Sequence, residues 1–118
     1  MTAPHDVVEE FGVSIIVASE ETVLHLQGEV DCLSSPYLRG ILDASIDGGH
    51  ADVVLDLAAL EFMDASGLRV IANAADRLEM LGGTLAIRSP SDLVRRMLDI
   101  TGMTELTMPY PRESTYIS

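Results

Sequence analysis

The chain has 118 residues, a formal net charge of −12, seven basic residues that are all arginine, and one cysteine. That length fits one domain with a core of its own, and with 47% hydrophobic residues but no tryptophan, two phenylalanines and three tyrosines that core must be aliphatic. The charge argues against nucleic acid, whose phosphates require clustered cations; the lone Cys32 excludes an internal disulfide, and no stretch approaches the roughly 20 apolar residues of a membrane span.

The opening "MTAPHDVVEE" lacks the basic start and apolar run of a secretory leader, so a cytoplasmic location is expected. Residues 13 to 18 and 22 to 27 read as two β-strands joined by the polar "SEET", a hairpin pattern. "SSPYLRGILDASIDGG" follows with helix grammar: Ser35 as N-cap, Pro36 at the first helical position, Leu38, Ile41, Leu42 and Ser45 on one face, and Gly48 and Gly49 as the stop. Residues 53 to 57, a β-branched apolar run, predict a buried strand.

From Ser66 the spacing becomes helical, with Leu68, Ile71, Ala72, Ala75 and Leu78 forming an inward stripe that ends at Gly82 and Gly83. "TLAIR", residues 84 to 88, is the next strand. "SPSDLVRRMLDITG" predicts a further helix, with Ser89 as N-cap, Leu93, Val94, Met97 and Leu98 inward and Gly102 as terminator; a brief "LTM" strand and the tail 109–118 close the chain. The expected class is α/β: a single domain over 1–118, with a core of about 12–108 and a mixed, mostly parallel sheet of about five strands with three or four helices.

Right-handed crossovers bring the loop "GEVDCLSS" and the segment "EFMDASG" to one edge of the sheet, where open α/β sheets favour binding. Asp31, Asp56 and Asp64 are expected to cluster there beside Ser66. Ser66 has three candidate roles: helix cap, nucleophile, or acceptor of a modification. Asp64 can cap equally well, leaving the Ser66 hydroxyl free. A nucleophile elbow needs glycines two residues either side of the serine, where this chain has Asp64 and Leu68; His25 sits in a strand, His5 and His50 in a loose end and a turn, so neither a triad nor a metal-ligand spacing is formed. Arg69, Val70, Asn73, Arg77 and Met80 fall on the Ser66 side of the helix, a mixed basic and apolar strip suited to a protein interface or to a solvated face. Gly67 either eases approach to the hydroxyl or serves a tight turn.

"DLAALEFMDASGLRVIANA", with "GEVD" upstream and "RRMLDITGM" downstream, resembles the STAS-domain anti-sigma factor antagonists over about residues 12 to 108. The resemblance implies a regulatory module that is not an enzyme, holds no cofactor or metal, and works by partner switching. The serine aligned with Ser66 is phosphorylated by an anti-sigma factor with serine kinase activity, which uses ATP and Mg²⁺; the unphosphorylated form binds that anti-sigma factor and frees a sigma factor. A PP2C-type phosphatase reverses the step. The resemblance places the contact at Asp31 and the start of the helix after Ser66; with the helix face above, the candidate partner-binding residues are Asp31, Cys32, Ser34, Asp64, Ala65, Gly67, Arg69, Val70, Asn73 and Arg77. Ala65 stands where many relatives carry a second serine or threonine, so modification falls on Ser66 alone, and the tail 109–118 stands where relatives have a longer helix. Cys32 is either a redox sensor or a small hydrophobe. Alternative readings are a STAS-like module that binds a nucleotide or other small ligand, or a scaffold in a signalling assembly.

Overall fold

A computed structural model of the chain describes residues 11–17, 21–49 and 51–107. The elements run β1 (Phe11–Val17), β2 (Thr22–Val30), α1 (Ser35–Asp47), β3 (Asp52–Met63), α2 (Ala65–Met80), β4 (Thr84–Arg88), α3 (Asp92–Ile100) and a 3₁₀ turn (Thr104–Leu106). The four strands lie in the order β1-β2-β3-β4; β1 is antiparallel to β2, and the other pairs are parallel. This is the mixed α/β sheet expected, with "LTM" reduced to the turn and a single parallel bridge from Thr107 to Ile87. Residues 18 to 20, His5, His50 and the tail 109–118 lie outside the described residues.

Strand alternation assigns the two faces. Leu24, Leu55 and Ile87 are in register on the helix-covered face, and one core joins them to Leu38, Leu42 and Ile46 of α1, to Leu68, Ile71 and Leu78 of α2, and to Val94 and Leu98 of α3. The adjacent row on the opposite face is Ser14, His25, Asp56 and Arg88. There Asp56 accepts from Arg88 Nε (3.1 Å) and Nη2 (2.9 Å), from the Ala58 amide (2.9 Å), and lies 3.3 Å from His25 Nδ1. Burial acts to raise the Asp56 pKa, but the Ala58 amide, Arg88 and His25 outweigh it and hold the carboxyl below its ordinary value.

The expectation that Asp56 joins the acidic cluster is therefore corrected. β3 does not end at residue 57; it continues to Met63, which leaves Asp56 roughly 25 Å along an extended strand from Asp64. The register against β2 shifts between His25 and Gln27 and again between Gly28 and Glu29, each shift placing one extra residue in β3. Buried positions in this stretch become Leu57, Leu60 and Met63. That period of three hides the strand from a search for alternation.

Three helix details also differ from expectation. Ser34, not Ser35, occupies the N-cap position of α1, and Ser35 is buried as its first residue. At α3 both serines flanking Pro90 satisfy the start grammar, but it is Ser91 whose hydroxyl accepts the Val94 amide, while Ser89 adopts a left-handed backbone with φ 57°. Leu93, expected to face inward, is exposed; Val94 and Leu98 carry the packing.

Candidate functional site

The carboxyl ends of β2 and β3 are joined by a hydrogen bond from the Asp64 amide to the Val30 carbonyl, 3.0 Å. This places the loop after β2 beside the start of α2, as the topology predicts. Asp64 is the N-cap of α2, with extended backbone, and its Oδ1 accepts from the amides of Ser66 (2.9 Å) and Gly67 (3.4 Å). The same oxygen accepts the Ser66 hydroxyl at 2.5 Å. Asp64 thus takes the capping role, but the Ser66 hydroxyl is not free: it is held by the cap. The Ser66 hydroxyl bond is the main cause that lowers the Asp64 pKa, with the two amides adding to it against a smaller desolvation effect. Asp64 stays ionised, and the proton of Ser66 is directed at it.

Asp31 organises the neighbouring loop. Its Oδ1 accepts from the amides of Leu33 (2.9 Å) and Ser34 (3.1 Å), while Ser34 Oγ accepts from the Asp31 amide (2.9 Å) and donates to the Glu29 carbonyl (3.0 Å). The Asp31 and Ser34 side chains thus lock each other, a local alternative to ladder pairing that short polar side chains supply. Cys32 is exposed at the tip of this loop.

Gly67 is buried, and a Cβ built there would lie 2.6 Å from Met63 Cγ and 2.8 Å from Val30 Cγ1. The glycine lets the first turn of α2 sit against the ends of β2 and β3. Its missing side chain faces the core, so packing accounts for it.

Along α2, Ala65, Arg69 and Asn73 are exposed, and Val70 packs half-buried against the core. Arg77 is committed to α1, with Nη1 2.6 Å from Asp43 Oδ1 and Nη2 3.1 Å from Asp47 Oδ1. A shallow cleft of about 150 Å³ between the two helices is lined by Arg39, Leu42, Val70, Asn73 and Arg77. The strip expected to be continuous therefore divides: its first half is open beside Ser66, and its second half holds two helices together.

Sequence reasoning missed the apolar side chains around this edge. Leu33 is 70% exposed, Tyr37 71% exposed, and Phe62, one residue before Met63, is also exposed. Large apolar residues grouped on a surface mark contact sites. The signal was present in "DCLSSPYL", where Leu33 and Tyr37 are out of phase with the inward stripe of Leu38 and Leu42. His25 lies mid-sheet on the far face with Asp56, and no group of metal-ligating residues occurs among the described residues.

A polar-capped serine at the strand-end edge of a one-layer mixed sheet agrees with the family comparison, in which the STAS domain model matches residues 13–115. The chain is 33% identical over 92 residues to an anti-sigma F factor antagonist of Paenibacillus polymyxa, covering 77% of this chain and 79% of that one. Among solved structures, SpoIIAA in its unphosphorylated form superposes with a TM-score of 0.75 at 25% identity, covering 89% of this chain and 92% of that one. The phosphorylated form of the Bacillus protein SpoIIAA has the same fold, with a TM-score of 0.70 at 22% identity and 92% and 99% of the two chains covered. The chain belongs to the STAS domain family, among its anti-sigma factor antagonists.

Proposed function

We propose that this protein is a partner switch: with Ser66 unmodified it binds an anti-sigma factor that has serine kinase activity and so frees a sigma factor, and phosphorylation of Ser66 ends that binding. The observation that carries the reading is the Ser66 to Asp64 hydrogen bond at the edge where Leu33, Tyr37 and Phe62 stand exposed. The apolar side chains provide contact area, and the hydroxyl sits beside them at a helix start, open to one change of charge. Further support is that SpoIIAA, similar to this chain in fold, exists in unphosphorylated and phosphorylated forms.

The geometry gives the switch a local mechanism. A phosphoester removes the hydroxyl hydrogen that Asp64 now accepts and sets about 1.5 to 2 negative charges against that ionised carboxylate. The helix dipole and free amides partly offset this, so the domain stays folded while the edge becomes strongly anionic. In the complex the same charge meets desolvated partner groups; repulsion of about 1.4 to 2.8 kcal/mol weakens binding roughly 10- to 100-fold. Asp31 and Ser34 hold the loop, and Arg69, Val70 and Asn73 extend the contact along α2. The kinase supplies the phosphoryl transfer, a PP2C-type phosphatase removes the group, and the switch itself performs no catalysis and acts in the cytoplasm.

A nucleotide-binding reading gains no support from the larger cleft, of about 460 Å³, because its rim carries Asp76, Glu79 and Glu105, which repel a polyphosphate. Incubation with kinase-type anti-sigma factors and ATP, followed by mass mapping, tests the proposal. One phosphate on Ser66, absent in Ser66→Ala, is the expected result. Phosphate elsewhere, or none with any such kinase, contradicts it.

A further inference from the structure

β1 is an edge strand: among the described residues it pairs only with β2. Soluble proteins usually blunt such edges with charge, proline or a bulge, since the outer row of amides and carbonyls invites another strand. β1 has none of these. Its sequence, FGVSIIV, is uncharged and free of proline in a chain of net charge −12, and its seven residues pair with β2 without a register shift. Ile15 and Ile16, which point to opposite faces, are 52% and 55% exposed. The strand therefore offers an apolar, regular edge on both sides of the pleat, with no charged side chain of its own in a strongly acidic chain.

We propose that β1 is the contact between two copies of this chain, paired antiparallel to its own equivalent about a two-fold axis at Ser14, so that two four-stranded sheets become one of eight strands. Isologous contacts of this kind need a self-complementary surface, and β1 supplies one. Around Ser14, Val13 pairs with Ile15, Gly12 with Ile16, and Phe11 with Val17. The arrangement closes whichever set of residues points its amides outward, because both sets are symmetric about the same residue. Gly12, without a side chain, faces the branched Ile16 of the second copy, and on the helix-covered face β-branched Val13 meets β-branched Ile15, a favourable cross-strand pair. A foreign strand has to bring its own complement; this sequence is its own.

The pairing leaves the Ser66 edge open. β3 runs antiparallel to β1 through β2, so the two-fold axis sends the two Ser66 edges to opposite ends of the joined sheet. Each copy can then hold a partner independently, and dimerisation does not depend on the state of Ser66.

Sedimentation velocity of the full chain across the micromolar range tests the contact. The expected result is a species of twice the chain's mass that dissociates on dilution. The double variant Ile15→Glu, Ile16→Glu should remain folded by circular dichroism, since both side chains are exposed, and weaken the dimer at least about tenfold; Leu93→Glu, a comparably exposed site on α3, should leave it unchanged. In a Cys32→Ala background, Ser14→Cys should cross-link across the axis on mild oxidation, because directly opposed Cα atoms lie about 4.5 to 5.5 Å apart, within the disulfide range of about 4.4 to 6.8 Å. A monomer at every concentration, a dimer indifferent to the two glutamates, or a dimer that fails to cross-link at residue 14 overturns the proposal.

Discussion

At Ser66 one proton decides the local chemistry. The Asp64 carboxylate accepts it at 2.5 Å while also accepting two helix amides, so the cap of α2 and the serine hydroxyl form one unit. From the sequence both halves were visible separately: Asp64 as a competent cap, and Ser66 in the first turn. Their coupling was not, because a two-residue spacing does not reveal which oxygen a hydroxyl will choose. The coupling has a pH signature. Asp64 is lowered in the folded state, chiefly by the Ser66 hydroxyl, so its contribution to stability is fully present above the ordinary carboxylate value of about 4 and is lost as pH falls through the lowered one. In an Asp64→Asn variant the substituted amide can still cap but cannot titrate. Denaturant unfolding as a function of pH should show the parent more stable at neutral pH and the difference shrinking below about pH 4; a difference constant down to about pH 2 would contradict the coupling.

At the scale of elements, the sequence predicts β4 at 84–88 with the boundaries it has, because a short apolar segment between a double glycine and a Ser-Pro pair permits little else. The sequence pattern predicts five residues for β3, and the strand has twelve. Its two bulges space the buried Leu57, Leu60 and Met63 three apart, and alternation cannot be recognised where the strand itself carries extra residues. That extension shapes the candidate site: it carries Phe62 to the Ser66 edge and leaves Asp56 behind, stapled to Arg88 and His25. The apolar group at the edge then makes its own prediction. Leu33→Ser and Tyr37→Ser remove exposed side chains with little packing, so each should leave the melting temperature within about 3 °C of the parent. Each should weaken anti-sigma factor binding in calorimetric titration by about tenfold, as central apolar anchors do. Unchanged affinity in both would remove this group from the interface.

For the whole molecule, the order β1-β2-β3-β4 separates two kinds of edge. The ends of β2 and β3 gather polar caps, a serine and exposed apolar side chains, whereas the side of β1 is uncharged backbone. The α/β class and the meeting of the two loops followed from the alternation of strands and helices and from crossover handedness. The extent of the proposed interface did not, since Arg77 lies on the expected helix face yet is bound to Asp43 and Asp47 of α1, a choice only the packing of two helices makes. The central claim is that charge on Ser66, and not the loss of fold, ends partner binding. Its most direct measurement is the affinity of the chain for the proposed kinase-type anti-sigma factor with Ser66 unmodified and with Ser66 phosphorylated, each form verified as folded. The prediction is binding weakened roughly 10- to 100-fold by the phosphate, and equal affinity of the two forms would contradict it.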